Sequence, residues 1–169
     1  MNYQTEQENF WANEFGNDYL ARNAGEKLIS SNIALFSKIL KNCSSINSIA
    51  ELGCNIGLNL IALNRLNKQL NLRGYEINEN AAKAAREEHI AEIVNTTVIE
   101  PLNANTTFDL TFTKGVLIHI NPEMLPAVYQ NLYDLSHRYI LVCEYYNPIP
   151  VSVDYRGNSD RLFKRDFAG

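Results

Sequence analysis

The stretch ELGCNIG (51–57) sets an acidic residue, Glu51, ahead of two glycines, Gly53 and Gly57, with Cys54 and Asn55 between them. A glycine turn joining a strand to a helix can hold a triphosphate, a pyrophosphate or a sulfonium nucleoside. A triphosphate loop needs GxxxxGK[ST], whose lysine reaches the phosphates, but Leu58 and Asn59 follow Gly57 here. A dinucleotide turn needs GxGxxG, whose second glycine lets the pyrophosphate approach bare backbone. Asn55 occupies that place. Glu76 in RGYEI stands 19 residues beyond Gly57, close to the ~20 residues expected of a ribose-binding carboxylate. An ionised carboxylate only accepts hydrogen bonds, so it can take both ribose hydroxyls. Turn and carboxylate together point to an adenosine-type ligand without a pyrophosphate. The bland alternatives are a purely structural turn and a solvated strand-end charge.

His119 in GVLIHINPE is the histidine at the end of the fourth predicted strand. Its ordinary pKa suits removal of a proton from an acceptor; simple packing at a helix start is the other reading. His89 and His137 fall late in predicted helices and suit dipole-complementing surface positions. The CEYYNP stretch offers Glu144, Tyr145, Tyr146 and Asn147 as polar groups and flat faces for a sugar or amine acceptor. Tyr155, Arg156, Lys164 and Arg165 suit either an anionic acceptor or a solvated tail. Cys43, Cys54 and Cys143 lack metal-ligand spacing, so reduced thiols and no metal are expected.

The elements that must position these residues follow from periodicity. Ile29, Ile33, Phe36 and Leu40 recur at helical spacing, predicting a helix over 26–41. INSIAEL (46–52) is a β-branched run ending at the glycine turn, and 57–67 is helical again. NLRGYEI (71–77) is a second strand, after which Asn78 caps a helix with Glu79 in its first turn. NTTVIE (95–100), FDLTFTK (108–114) and RYILVCEYY (138–146) complete five strands. Before the last lies a helix capped by Asn121 with Pro122 at its first position, burying Met124, Val128, Leu132 and Leu135. Alternating strands and helices predict a doubly wound α/β fold with a mostly parallel sheet. Its ligand crevice lies beyond the carboxyl ends of the strands, where the glycine turn falls.

The 169 residues make one domain, with 46% hydrophobic residues and a net charge of −4. That charge argues against phosphate-driven nucleic-acid binding. The polar, acidic start does not read as a signal peptide, and no apolar run approaches the ~20 residues of a membrane span. A cytoplasmic protein is expected.

ELGCNIG, GYEIN and FDLTFTKGVLIHINPE resemble the class I S-adenosylmethionine-dependent methyltransferases. FWANEFGNDYLARN, YYNPIPVSVDYRG and LFKRDFAG point more narrowly to the pseudaminic acid biosynthesis-associated methylases. The resemblance implies a Rossmann-like sheet in the order 3-2-1-4-5 with helices on both faces, and S-adenosylmethionine as cofactor. Glu51, Gly53 and Gly57 match the acidic-x-G-x-G-x-G turn, with Asn55, tolerant of left-handed angles, in place of the middle glycine. By the same resemblance Glu76 takes the ribose hydroxyls, Ile77 flanks the adenine and Leu102 lies near the adenine edge. Thr113 and Lys114 line the methionyl end. Tyr19 and Arg22 belong to a segment that closes over the cofactor, Arg22 pairing with the methionyl carboxylate. The chain ends at Gly169, where the family normally continues, so it reads as shortened and lacking the usual β6/β7 hairpin.

The expectation is therefore a single domain: a lid segment (1–25), a cofactor core (26–146) and a tail (147–169). It transfers methyl groups to a small-molecule acceptor, possible members being sugars or nucleotide-sugars of nonulosonic acid biosynthesis. His119 is the candidate base, and Tyr145, Tyr146, Asn147 and Arg156 are the acceptor contacts. An exposed fifth strand predicts either that the tail segment (150–168) folds back over its edge or that a homodimer joins through it. A non-catalytic adenosyl-ligand module and a nicotinamide oxidoreductase are the competing readings. The second is disfavoured by Asn55 and by the lack of a second nucleotide-binding half.

Overall fold

The computed structural model describes residues 3–13, 15–17 and 25–168. Tyr19 and Arg22, expected to close over the cofactor, lie outside the described residues. Five strands, β1 (Ser48–Leu52), β2 (Asn71–Glu76), β3 (Glu92–Asn95), β4 (Phe108–Lys114) and β5 (Ser136–Cys143), pair in parallel. Their order is β3-β2-β1-β4-β5, as the sequence reading expects. The helices are α1 (Glu6–Ala12), α2 (Glu26–Leu40), α3 (Leu58–Leu66), α4 (Glu79–Glu87) and α5 (Leu125–Asp134). No helix among the described residues is long and apolar enough to cross a membrane.

Strand alternation divides the core in two. Ile49, Leu72, Leu110 and Phe112 face one way and meet Phe36 of α2, Leu60 and Leu63 of α3, and Ala82 and Ala85 of α4. Ala50, Leu52 and Tyr75 face the other way and meet Val128, Leu132 and Leu135 from α5 and its end. Side chains two apart share a face, so Glu51 lies with Ile49, on the α3 side. The sheet order reverses between β1 and β4, and the glycine turn leaves β1 at that point, where α/β folds hold their ligands.

Two expectations need correction. The third strand is Glu92–Asn95 rather than 95–100, so Thr97, Val98 and Ile99 form the loop beyond its carboxyl end. The tail does contain an antiparallel hairpin, β6 (Val151–Tyr155) and β7 (Asn158–Lys164). Its turn takes positive φ at Arg156 (52°) and Gly157 (82°), the left-handed pair that a two-residue hairpin turn requires. The hairpin forms a separate two-stranded sheet and joins the main body through a bridge between Tyr146 and Arg165. It packs on a short 3-10 turn (Leu117–His119) rather than along β5. Among the described residues, the outer edge of β5 has no strand partner.

Candidate functional site

A cleft of about 260 Å³ opens beyond β1, β2 and β4. Its floor is the glycine turn, drawn against β2 by the N–H groups of Gly53 and Cys54, which both donate to the Tyr75 carbonyl (2.8 and 3.0 Å). Asn55 sits at φ 50°, its N–H donating to Glu76 Oε2 (2.8 Å) and its Oδ1 accepting from the N–H of Ile56 (2.7 Å). Glu76 Oε1 accepts from the N–H of Asn78 (2.8 Å). Burial raises the Glu76 pKa, and these backbone donors oppose the rise. The N–H of Ile77 opposes that rise too, and the carboxylate's roughly four acceptor positions exceed these three donors.

Asn55→Gly keeps the left-handed angle at lower conformational cost and loses only the bond to Ile56. Affinity for S-adenosylhomocysteine is expected to stay within about threefold, under ~0.7 kcal/mol, by calorimetry. A folded Asn55→Gly that no longer binds would give the asparagine side chain a direct part in ligand contact.

Glu51 is completely buried. Asn59 Nδ2 donates to its Oε1 (2.6 Å), while Oε2 has no partner among the described residues. Burial pushes its pKa up to about 8, against the Asn59 hydrogen bond and the Lys114 charge. The folded chain thus holds a proton that the unfolded chain, at its ordinary 4.5, has released. Stability from this proton is fully present below about pH 4.5 and is lost as pH rises through about 8. Glu51→Gln should therefore flatten a fall in Tm between about pH 5 and pH 8, read by scanning calorimetry. An unchanged pH slope in the variant would mean that Glu51 is ionised in the fold.

The cleft's roof comes from α1. Thr5 and Glu8 form a reciprocal cap at its start, satisfying two otherwise orphaned donors. Glu8 also accepts from the Thr97 hydroxyl across the cleft mouth. Asn78 caps α4 through the N–H of Ala81 (2.9 Å) and turns its amide toward the carbonyls of Trp11 and Ala12, both 3.2 Å away. One side chain thereby positions a core helix and the roof.

Trp11 lies against His119, with ring centroids 4.4 Å apart, and Tyr155 of the hairpin stands 5.2 Å from the same imidazole. His119 Nδ1 is 2.8 Å from the Arg161 carbonyl. A carbonyl only accepts, so Nδ1 carries the hydrogen and Nε2 is the bare acceptor. Burial lowers the His119 pKa to about 4, despite that bond. The ring is neutral at physiological pH.

Of the residues singled out from sequence, the cleft wall contains Gly53, Cys54, Asn55, Glu76, Ile77, Lys114 and His119. Glu51 and Thr113 lie fully buried behind it, and the Thr113 hydroxyl has no partner among the described residues. Gly57 is the N-cap of α3. Leu102 departs from expectation: it is outside the wall and packs in the α5-side core, its N–H held by Asn131 Oδ1 (2.9 Å). Thr97, Val98 and Ile99 take the wall position instead, because β3 ends earlier than its β-branched sequence suggests.

The acceptor contacts divide in the same way. Tyr145 lines a second cavity, whereas Tyr146, Asn147 and Arg156 do not. Asn147 donates to the Ile149 carbonyl, and the Arg156 guanidinium stacks on Tyr155 at 5.8 Å. His137 lies within β5, and His89 follows the end of α4 at φ 53°, so neither sits in a helix as expected. Trp11, Glu8 and Asn59 were not legible as site residues; only the TxxE pattern at 5–8 signalled a helix start there. All three cysteines are free, and no metal-binding cluster occurs among the described residues.

Residues 50–137 match the family described as a methyltransferase domain, and the chain belongs to it. No curated protein matches the sequence. Among solved structures, a plantazolicin methyltransferase in complex with a desmethylPZN analog and SAH superposes with TM-score 0.60 at 17% identity. That match covers 78% of this chain but 52% of the other, so the chain spans about half the length of this relative. The sugar N-methyltransferase from a Streptoalloteichus species gives TM-score 0.65 at 11% identity, covering 88% and 63%. Magnesium protoporphyrin IX methyltransferase from Synechocystis, with bound SAM, gives 0.64 at 13%, covering 96% and 98%. Identities this low establish the fold alone.

Proposed function

We propose that the protein is an S-adenosylmethionine-dependent methyltransferase acting on a small-molecule acceptor. The carrying observation is Glu76, buried in the cleft wall at the end of β2 with more acceptor positions than backbone donors. Family membership and structural relatives solved with SAM or SAH support the same cofactor. The residues present suit it: Glu76 and Ile77 for the ribose and its base, Thr97 to Ile99 for the adenine edge, and the turn and Lys114 for the methionyl end. The bound cofactor supplies an electrophilic methyl group, which an acceptor lone pair takes while sulfur keeps the C–S electrons.

The protein's part is mainly orientation, which can supply roughly 7–11 kcal/mol. Trp11 and Tyr155 fix the plane of His119, and the Arg161 carbonyl fixes its tautomer. Nε2 is then placed to accept the acceptor's N–H or O–H hydrogen and align it; with its pKa lowered to about 4, His119 is a weaker base than its ordinary pKa implies. Segments 1–25, 26–146 and 147–169 serve as lid, cofactor core and acceptor-side cover. We place the protein in the cytoplasm, in keeping with three free cysteines, and its acceptor among nonulosonic-pathway sugars on the resemblance of its terminal stretches. Methyl-labelled S-adenosylmethionine incubated with sugar and nucleotide-sugar fractions tests this. Label transfer with formation of S-adenosylhomocysteine is expected; tight cofactor binding without transfer to any fraction would favour a binding module.

The outer edge of β5, which has no strand partner among the described residues, and Ile140, 46% exposed, also support a homodimer formed by strand pairing. Solution molar mass should give a dimer with slowed amide exchange over residues 139–143. A monomer with fast exchange there would exclude it.

A further inference from the structure

A second cavity of about 480 Å³ adjoins the cofactor cleft, and Lys114, Gly115 and His119 line both. Its far side is built by the segment just after β5 (Glu144, Tyr145) and by Tyr155 and Lys164 of the hairpin. The two lysines form no ion pair among the described residues, whose ion pairs join Arg65 to Glu26, Arg73 to Glu92 and Arg161 to Glu6. The Lys164 ammonium instead lies over the Tyr145 ring, 5.7 Å from its centroid. Cation–π stacking of this kind orders a cation without neutralising it.

Glu144 is the cavity's acidic group, and its Oε1 is engaged by the N–H groups of Val116 (2.9 Å) and Leu117 (3.1 Å). That oxygen holds the 3-10 turn beneath His119, while Oε2 is buried without a hydrogen-bond partner among the described residues, and burial raises the carboxyl's pKa. It caps donors and does not pair the lysines. The cavity thus presents two ammonium groups that form no ion pair among the described residues, together with His119 in its wall.

We infer that this cavity is the acceptor site and that it reads an oxyanion on the acceptor, a phosphate or a carboxylate, through Lys164 with support from Lys114. The inference rests on the methyltransferase reading for the word acceptor, but not for the anion site itself. The oxyanion docks at the hairpin lysine, and the nucleophilic N–H or O–H of the same molecule reaches His119. Compounds with no negative charge are poor acceptors.

The test titrates inorganic pyrophosphate, uridine diphosphate and glucuronate into the wild-type protein, with and without S-adenosylhomocysteine. The same titrations follow for Lys164→Ala and Lys164→Arg. Binding of at least one anion is expected, weakened about tenfold in Lys164→Ala and retained in Lys164→Arg, as for a charge-assisted contact. Uridine diphosphate and pyrophosphate binding without glucuronate identifies a phosphate reader; the reverse identifies a carboxylate reader. S-adenosylhomocysteine affinity in Lys164→Ala, unchanged within about twofold, certifies the fold, since Lys164 is outside the cofactor cleft. No anion binding to wild type, equal binding to Lys164→Ala, or preferential binding of glucosamine lost in Glu144→Gln would each overturn the inference. Loss of S-adenosylhomocysteine binding in wild type, with anion binding intact, would count against the cofactor reading alone.

Discussion

Glu76→Ala should weaken S-adenosylhomocysteine binding by at least ~1.5–3 kcal/mol, the range for hydrogen bonds to a charged group. Two losses combine. The ligand hydroxyls lose their acceptors, and the N–H groups of Asn55 and Asn78 lose the carboxylate that holds them. The second loss loosens the glycine turn and the start of α4 together, so the effect should exceed that of a surface carboxylate. Glu76→Gln separates the two: its amide oxygen can keep one backbone N–H, but its NH₂ faces a donor where an acceptor is needed. Calorimetry should rank wild type above Glu76→Gln and Glu76→Gln above Glu76→Ala. Equal affinity in a folded Glu76→Ala would remove Glu76 from the ligand site.

Gly53→Val should abolish measurable cofactor binding. Gly53 holds φ at 78°, where a β-branched residue is strained. A Cβ there would stand 2.5 Å from Val116 Cγ2. Val116 cannot yield freely, because its N–H is fixed by Glu144 and its side chain forms part of the cleft wall. The turn must open or the wall must move, and either change spoils the cofactor's bed. The variant's circular dichroism should remain α/β while S-adenosylhomocysteine produces no heat. Near-normal affinity would show that the ligand does not approach this turn.

The parallel core was legible because strands β1, β2 and β4 each carry apolar runs that end at a punctuating residue, and α2 to α5 show helical stripes. Phe36, Val128, Leu132 and Leu135 are buried as their spacing implies, whereas Met124, expected in the same stripe, is only partly buried in a 3-10 turn ahead of α5. That the glycine turn and Glu76 share one cleft was legible as well, because a strand, a turn and a second strand fix the count from Gly57 to Glu76. What failed was local in origin. Thr96 to Ile99 has the composition of a strand but follows β3 as a loop, which displaced the adenine-edge position to Leu102. The hairpin was missed because its absence was read from the chain's end at Gly169, although Gly157 and the alternating VSVDY before it carried part of the signal.

Other features are beyond any local pattern. The Glu8–Thr97 bond spans 89 residues, and the Trp11–His119 stack joins an N-terminal helix to a turn after β4. Asn78 reads as an ordinary helix cap, yet its amide also holds α1. Glu144 resembles a polar strand end, yet it caps the turn that carries His119. Composition marks such residues as polar; only the fold shows which backbone they satisfy.

The central claim, an adenosyl-sulfonium site built on Glu76 and the glycine turn, is tested most directly by titrating wild-type protein with S-adenosylhomocysteine against NAD in one calorimetric series. The expected result is saturable one-to-one binding of S-adenosylhomocysteine with no measurable heat from NAD. Binding of NAD with none of S-adenosylhomocysteine would contradict it.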